Sequence, residues 1–212
     1  MIKENDLMKL NLGCGFQVVE GWVNTDYSLG ARASRYPLIK FLAARLKVFS
    51  HEWSSNIYLA DLTVSFPWRD NEIDVIYSSH VLEHLDKQQG KNFISECHRV
   101  LKPGGIIRVI VPNLDEIIRL YNEKQLLADD FIDYLDVRPK YQESFIKRLV
   151  SNLFSFPHKC MYSPERLTAL MAEVGIVGGQ KSPLLSGIAD IRSIELEDRV
   201  ANNEVIFEGV KR

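Results

Sequence analysis

The stretch Lys9-Leu10-Asn11-Leu12-Gly13-Cys14-Gly15 decides the fold, because a short apolar run ends there in two glycines separated by one small residue. A buried strand that stops at Gly-x-Gly leads into a turn without obstructing Cβ atoms, so a ligand can approach the backbone closely. Taken alone, such a pair of glycines is more often only a tight turn. The features that follow it along the chain decide between the two interpretations.

Polar residues follow each of the next three strand-like runs, which cover residues 22–25, 56–60 and 73–77. The last of these runs is rich in β-branched and aromatic residues, as is typical of a buried parallel strand. The residues that directly follow the three runs are Asp26, Asp61, Leu62, Ser78, Ser79 and His80. This order predicts an open α/β sheet with an acidic residue at a strand end beside the glycine loop.

The spacing after the glycine loop departs from that of a dinucleotide-binding unit. Residues 16–25 are too few for a helix and a strand, so we predict a loop or a single turn before the brief strand at 22–25. Val18 stands where the third glycine of Gly-x-Gly-x-x-Gly would be, which argues against a dehydrogenase.

Periodicity and turn residues predict the remaining elements. In chain order they are a helix over 38–48, a helix over 88–100, a strand over 106–111, a helix from Pro164 to Gly175, and strands over 191–196 and 204–210. The link before the last strand is short, which favours its antiparallel addition to the sheet.

Two segments are longer than simple connections, and they predict helical insertions at about 29–50 and 114–156 within a single domain that covers residues 1–212. The second insertion follows the carboxyl end of a central strand, so we expect a lid or substrate-binding cap; a peripheral helical pair or a dimer contact is the alternative. For the basic amphipathic helix at 38–48 we expect packing on the sheet with the basic face in solvent. Contact with a membrane surface or with a phosphorylated acceptor is the alternative.

Composition excludes several classes of protein. Of the 212 residues, 46% are hydrophobic and 25% are charged, as is ordinary for a globular protein, and a net charge of −2 gives no electrostatic case for a nucleic-acid partner. Cys14, Cys97 and Cys160 form no CxxC pair, so neither a disulfide framework nor a cysteine-rich zinc site is expected. With no apolar segment long enough to span a membrane and no signal peptide, we expect a cytoplasmic protein.

These residues resemble the class I S-adenosylmethionine-dependent methyltransferases, especially small bacterial members that are often encoded with surface-polysaccharide biosynthesis enzymes. Besides LNLGCG at 10–15 and GWVNTD at 21–26, the specific pieces are HVLEHL at 80–85 and RVLKPGG at 99–105. The resemblance implies a Rossmann-like, doubly wound α/β sheet of seven strands with the last strand antiparallel. It also implies helices on both faces and S-adenosyl-L-methionine bound across strands one and four.

The resemblance further implies cofactor roles for eight residues. Gly13, Cys14 and Gly15 match the loop beside the methionine part, and Asp26 matches the residue that binds the ribose. Asp61 and Leu62 match the pair near the adenine, and Ser78 and Ser79 match the strand end beside the sulfonium. Carboxylates suit the ribose and adenine roles because they accept hydrogen bonds from adjacent hydroxyls or from an exocyclic amine. Aspartate at the start of a loop is also a common turn former, which is the alternative for Asp26 and Asp61.

Methyl transfer from a sulfonium is a one-step displacement, in which the cofactor carries the reactivity and the protein supplies alignment and desolvation. A hydroxyl acceptor also benefits from a base, a role that suits histidine. His80, just past strand four, is the first candidate, followed by His158 after the inserted element and by His84. A packing or capping role is the alternative for each of them.

His80, Glu83 and His84 have the spacing that shares one face of a helix, and these residue types bind divalent metals. Some methyltransferases carry a Glu-x-x-Glu-His metal motif at this position, but His80 stands here in place of the first glutamate. We therefore predict no metal ion, and we expect Glu83 and His84 to cap and orient the cofactor loop.

The sequence thus predicts an S-adenosylmethionine-dependent methyltransferase (EC 2.1.1.-) that O-methylates a sugar, a glycan precursor or another small hydroxyl acceptor. One alternative is an aminopropyl-transferring relative, but such enzymes carry acidic residues after strand four, where Ser78, Ser79 and His80 stand here. The other is a non-catalytic relative that has kept the fold, but loss of the glycine loop or Asp26 would be expected there, and both are present.

Overall fold

A computed structural model describes residues 7–36, 45, 54–137, 156–195 and 204–212. The strands of this part of the chain are β1 (Lys9–Leu12), β2 (Val23–Asp26), β3 (Tyr58–Leu59), β4 (Ile73–Ser79), β5 (Leu101–Pro112), β6 (Ile176–Gln180) and β7 (Glu204–Lys211). Its α-helices are α1 (Leu29–Ser34), α2 (Lys87–Val100), α3 (Leu114–Asn122), α4 (Phe131–Tyr134), α5 (Pro164–Glu173) and α6 (Ile191–Ile194). A single 3₁₀ turn covers Leu82–His84.

The strands form one sheet of seven in the order β3-β2-β1-β4-β5-β7-β6. The pairs from β3 through β5 are parallel, and β7 is antiparallel to both β5 and β6. The predicted open α/β sheet with an antiparallel last strand is therefore confirmed. In this arrangement Leu12 of β1 pairs with Thr25 of β2 and with Ser78 of β4, so the carboxyl ends of the three strands meet at one edge.

The central strands are apolar because both of their faces are covered. Leu10 and Leu12 of β1 are fully buried, as are Ile73 and Ile76 of β4. The α2 helix packs Phe93 and neighbouring apolar residues into the same core. It begins with a capping box, in which the Asp86 side chain accepts from the N–H groups of Gln88 and Gln89, and the Gln89 side chain accepts from the N–H of Asp86. This firm start fixes the loop 80–86 between β4 and α2.

The end of α2 and the start of β5 lie closer together than expected. The helix ends at Val100 as predicted, but β5 begins at Leu101, which already pairs with Ile73. The register then shifts before Val75 pairs with Ile106, and Gly104 takes up a φ of +79° within this irregular segment. The strand therefore begins earlier than the predicted residue 106, and the Pro-Gly-Gly segment forms a bulge inside it.

The prediction of a strand at 191–196 is wrong, because residues 191–194 form the short helix α6. Ile191 and Ile194 are both buried, and residues three apart lie on one face of a helix, whereas strict alternation would place them on opposite faces of a strand. The sixth strand is instead β6, whose glycines conceal it in the sequence. A Cβ at Gly178 would lie 2.1 Å from the carbonyl oxygen of Glu208, so only glycine permits this approach to β7.

The predicted insertions lie partly outside the described residues. The segment 145–154 lies outside the described residues, and so does the predicted helix over 38–48 apart from residue 45. In the second insertion α3 and α4 are helical as expected, but Ile117 is buried while Ile118 and Tyr121 are largely exposed. Its role as a cap therefore stays a prediction. Within the described ranges, no helix combines the length and the apolar character needed to cross a membrane.

Candidate active site

The glycine loop begins where β1 ends. Gly13 and Gly15 adopt φ values of +70° and +55°, and the backbone N–H of Cys14 donates to the carbonyl oxygen of Thr25 at 2.8 Å. A Cβ at Gly13 would lie 2.2 Å from Cγ2 of Val81, whereas a Cβ at Gly15 would meet nothing within 4 Å. Gly13 therefore serves close packing beneath the loop after β4, while Gly15 serves the left-handed backbone and an open approach.

Asp26 at the end of β2 holds this loop in place. Its Oδ2 accepts from the N–H of Gly15 at 3.0 Å, and its Oδ1 accepts from the N–H of Ser28 at 2.7 Å. The predicted turn-forming role is thus present, and the carboxylate stands beside the glycine loop as expected. Burial, with the nearby charge of Asp26, raises the pKa of the Cys14 thiol to about 12. Cys14 is therefore a buried neutral thiol at neutral pH.

The loop between β1 and β2 contains no helix and is held by Asn24. The Asn24 Oδ1 accepts from Asn11 and from the N–H of Val19, both at 3.0 Å, and its amide group donates to the carbonyl oxygen of Val19 at 2.8 Å. Sequence reasoning predicted the short loop but missed this buried amide. Asn24 lies inside the Gly-Trp-Val-Asn-Thr-Asp piece, and that position could have revealed it.

Asp61 and Leu62 follow β3 and have different surroundings. The Asp61 Oδ1 accepts from the N–H and the hydroxyl of Thr63, at 2.9 and 2.7 Å, so Asp61 forms a turn of its own. Leu62 is buried in the main core. Asp26 pairs with Leu59 in parallel register, so Asp61 and Leu62 follow β3 at the same edge of the sheet where Asp26 ends β2.

Two serines close β4. Ser78 is almost fully buried, and its hydroxyl oxygen has no hydrogen-bond partner within the described part of the chain. Ser79 pairs in register with Ile110 and is partly exposed. They lie beside the start of the glycine loop, because Ser78 pairs with Leu12, the residue before Gly13.

His80 leaves the strand with a φ of +54°, and its N–H donates to the carbonyl oxygen of Ile110 at 3.0 Å. Its ring lies between two carboxylates: Nδ1 is 3.1 Å from Oε1 of Glu83, and Nε2 is 3.6 Å from Oε1 of Glu204. Burial raises the pKa of Glu204, and the charge of Glu83 raises it further while His80 opposes them. Sequence reasoning missed Glu204, because only the antiparallel register of β7 brings it here.

The helical face proposed for His80, Glu83 and His84 does not form. Only Leu82–His84 adopts a 3₁₀ turn, and the positive φ of His80 takes that residue off the turn. Instead Glu83, His84 and His158 come together, with one potential ligand atom from each lying within 4.8 Å of the others. The rings of His84 and His158 have centroids 5.0 Å apart, and burial lowers the pKa of His84.

Three buried polar atoms in the described residues have no hydrogen-bond partner, and all lie at this edge of the sheet. They are Ser78 Oγ, Glu83 Oε2 and Glu204 Oε2. Buried polar groups are nearly always paired, so a concentration of unpaired acceptors needs an explanation.

Comparison with known proteins agrees with this architecture. The family model described as a methyltransferase domain matches residues 10–109, which run from β1 into β5. A probable S-adenosylmethionine-dependent methyltransferase of Mycobacterium tuberculosis is 28% identical over 123 residues, covering 53% of this chain and 38% of that protein. Malonyl-[acyl-carrier protein] O-methyltransferase 1 of Coxiella burnetii is 29% identical over 128 residues, covering 58% of this chain and 42% of that protein.

Among solved structures, an S-adenosylmethionine-dependent methyltransferase from Methanosarcina mazei shares the fold with a TM-score of 0.53 and 17% identity. The match covers 97% of this chain and 91% of that one. The chain spans less than half the length of the curated relatives it matches.

The domain match spans residues 10–109, just under half of the chain, and together with the relatives and the seven-stranded sheet it makes this chain similar to the class I S-adenosylmethionine-dependent methyltransferases. S-adenosyl-L-methionine is the cofactor of this class, and it is the cofactor that the findings support for this chain.

Proposed function

We propose that this protein transfers the methyl group of S-adenosyl-L-methionine to a hydroxyl oxygen of a sugar, or of another small acceptor. The observation that carries the proposal is the tie between the glycine loop and Asp26. One carboxylate oxygen holds the N–H of Gly15 and the other holds the N–H of Ser28, so the carboxylate is fixed at the strand ends. Open α/β sheets bind their ligands at that edge.

In this proposal each residue at the edge has one task. Gly13, Cys14 and Gly15 give the methionine part of the cofactor a close approach to the backbone, and Asp26 accepts hydrogen bonds from the ribose hydroxyls. The residues that approach the adenine and the sulfonium are Asp61, Leu62, Ser78 and Ser79. Their combined effect is to align the methyl group with the acceptor oxygen and to exclude water, which is the protein's share of a direct displacement.

The acceptor hydroxyl loses a proton during transfer, and three histidines are the candidates to receive it. His80 is the first candidate because it directly follows the end of β4, and the positive φ turns its backbone away from the strand. His158 and His84 are the second and third, since both lie within reach of Glu83, which also contacts His80. We expect His80→Gln to lower kcat more than it changes the KM for the cofactor.

The acceptor class is supported by resemblance. The small bacterial methyltransferases that this sequence resembles accompany surface-polysaccharide biosynthesis, which favours a sugar hydroxyl. The Coxiella burnetii relative is named as an O-methyltransferase of malonyl-[acyl-carrier protein], which supports an oxygen acceptor in general. Fold alone does not fix an acceptor, so the proposal depends on a direct assay.

The cofactor experiment is calorimetric titration with S-adenosyl-L-methionine and with its demethylated product, on wild type, Asp26→Asn and Asp26→Ala. The matched control is Asp74→Ala. Asp74 is also a partly buried carboxylate that accepts from a backbone N–H, that of Met8, but it lies at the start of β4, away from the glycine loop. We expect micromolar binding by wild type and by Asp74→Ala, and a large loss in both Asp26 variants.

The outcomes separate the proposal from its alternatives. Absence of binding by wild type would refute the assignment of the glycine loop and Asp26. Binding without methyl transfer from labelled cofactor to a panel of sugars, glycan precursors and small alcohols would favour a non-catalytic relative. Transfer from decarboxylated cofactor to an amine would favour the aminopropyl-transferring alternative.

A further inference from the structure

We propose that Glu83, His84 and His158 form a binding site for one divalent transition-metal ion, with zinc as the preferred ion. One potential ligand atom from each residue lies within 4.8 Å of the other two. The inference does not depend on methyl transfer, because it concerns the binding of an ion by three named side chains.

The ring orientations of both histidines suit metal binding. The Nδ1 of His158 lies 2.8 Å from the carbonyl oxygen of Leu135, and the Nδ1 of His84 lies 3.5 Å from that of Pro157. A carbonyl oxygen only accepts, so these contacts favour the tautomer with the hydrogen on Nδ1 and a lone pair on Nε2, more strongly for His158 than for His84. Metal-binding histidines typically donate their other ring N–H to such a carbonyl or carboxylate.

The buried carboxylate provides a second and independent indication. The side chain of Glu83 is fully buried, and its Oε2 has no hydrogen-bond partner among the described residues, while Oε1 contacts His80. A buried carboxylate that lacks partners is costly, and a bound cation removes that cost. The unpartnered Oε2 therefore belongs to Glu83, the residue that lies beside His84 and His158.

The backbone holds the three residues together across the fold. The carbonyl oxygen of Glu83 accepts from the N–H of Lys159 at 2.7 Å and from that of Cys160 at 3.1 Å. The N–H of His158 donates to the carbonyl oxygen of Asp136 at 2.9 Å. The segment that carries His158 is therefore tied to the turn that carries Glu83 and His84 before any ion arrives.

The expected coordination follows from these donors. A tetrahedral ion with bonds of about 2.1 Å keeps its donors roughly 3.4 Å apart, so donor atoms that lie within 4.8 Å of one another would close by up to about 1.4 Å around it. Two imidazoles and one carboxylate suit zinc and its neighbours better than magnesium or calcium, which prefer oxygen ligands. Three protein ligands leave a fourth position for water or for an oxygen of a bound molecule.

The experiment uses the full chain without an affinity tag, stripped of metal by a chelator and then titrated with zinc by calorimetry. Cobalt is added in parallel, because its visible absorption reports a low-coordinate nitrogen and oxygen site, and magnesium serves as a comparison. The variants are Glu83→Gln, His158→Gln and the matched control His98→Gln, which removes a histidine of α2 outside the cluster. Circular dichroism and urea unfolding of each variant show that it is folded.

We expect one equivalent of zinc to bind to wild type and to His98→Gln. Glu83→Gln and His158→Gln should weaken binding by more than about tenfold, since even loss of an outer partner of a metal ligand costs about 10–100-fold. The absence of a stoichiometric zinc site in the folded wild-type protein would overturn the inference. Equal zinc affinity in wild type and both cluster variants would also overturn it, whether or not methyl transfer occurs.

Discussion

Two groups of buried charges in the described part of the chain have their hydrogen bonds completed to different degrees. We call Arg108, Glu195 and Glu208 the closed cluster. Its guanidinium donates to Glu195 through Nε at 2.6 Å and Nη2 at 2.9 Å, and to Glu208 through Nη1 at 3.0 Å. Two further bonds, both 3.1 Å long, run from Arg108 to the carbonyl oxygens of Leu185 and Ser182. Every nitrogen of this buried arginine is therefore bonded.

We call His80, Glu83 and Glu204 the open cluster. It also contains two largely buried carboxylates around one basic group, but Oε2 of each glutamate has no hydrogen-bond partner in the described ranges. The closed cluster helps join β5, β7 and the C-cap of α6, which is Glu195, whereas the open cluster lies at the sheet edge where β4 ends. The difference shows that folding alone satisfies the first cluster, whereas the second keeps the unpaired oxygens that the proposals above assign to a ligand.

The largest expected effect comes from breaking the closed cluster with Arg108→Met. This variant leaves two buried carboxylates facing each other without a cation, and removal of one partner from a buried ion pair costs about 3–5 kcal/mol. Urea unfolding followed by circular dichroism measures the free energy of unfolding. The control is Arg166→Met, because Arg166 pairs with Glu173 at 3.2 Å while both side chains are half exposed.

An exposed pair of that kind contributes less than about 1 kcal/mol. Equal losses in Arg108→Met and Arg166→Met would show that the closed cluster does not stabilise the fold, and the contrast between the two clusters would lose its basis.

The second prediction concerns the glycine loop, in which Gly13 packs against Val81, the residue that follows His80 of the open cluster. Gly13→Ala forces a left-handed conformation on alanine and places its Cβ against Val81, which we expect to cost about 2–3 kcal/mol in the free energy of unfolding. Gly15→Ala carries only the backbone cost, about 1–2 kcal/mol, since nothing lies within 4 Å of its Cβ. Urea unfolding of both variants gives the comparison, and equal losses would argue against the Gly13–Val81 contact.

The parts of the fold that the sequence predicts are those with strong local signals. The apolar runs of β1 and β4 end in polar residues, the capped helix α2 has a clear apolar face, and the Gly-Cys-Gly turn needs its glycines. In each case the residues that decide the structure are neighbours along the chain. The sheet of seven strands followed from these runs together with the resemblance.

The contacts that sequence reasoning missed join residues far apart in the chain. Glu204 reaches His80 only because β7 returns antiparallel beside β5, and Arg108 meets Glu195 only because α6 replaces the expected strand. His158 was a candidate as a separate base, and its position beside Glu83 and His84 needed the folded chain. The cofactor roles of Asp26 and Asp61 stay predictions, because their observed bonds are those of turn formers as well.

The third prediction compares two fully buried glutamates directly. Glu195→Gln places an amide donor against the donors of Arg108 and loses charge-assisted bonds, so we expect a cost of roughly 2 kcal/mol. Glu83→Gln keeps an acceptor for His80 and removes a charge whose second oxygen is unpartnered, so we expect a change of less than about 1 kcal/mol. Both are measured by urea unfolding in metal-free buffer. A loss in Glu83→Gln as large as that in Glu195→Gln would mean that the open cluster is already complete.

The smallest expected effect concerns Glu96, a carboxylate near the surface whose two oxygens both accept hydrogen bonds. Glu96 accepts from Nε and Nη2 of Arg99 at 2.8 and 2.7 Å, and from the N–H of Phe66 at 2.6 Å. The hydrogen bond from Arg99 is the main reason that the pKa of Glu96 falls to about 2 from its ordinary 4.5, while burial opposes the shift.

A carboxyl whose pKa is lower in the folded state stabilises the protein above its unfolded pKa and loses that contribution as the pH falls. For Glu96 the contribution is present above pH 4.5 and disappears between about 4.5 and 2. The free energy of unfolding of Glu96→Gln should therefore fall less steeply than that of wild type across this interval. Urea titrations at several pH values measure the slope, with Glu173→Gln as the matched removal of one surface carboxylate. If Glu96→Gln kept the wild-type slope, the hydrogen bonds to its carboxylate oxygens would not stabilise the fold. The difference between the closed and open clusters would then need another explanation.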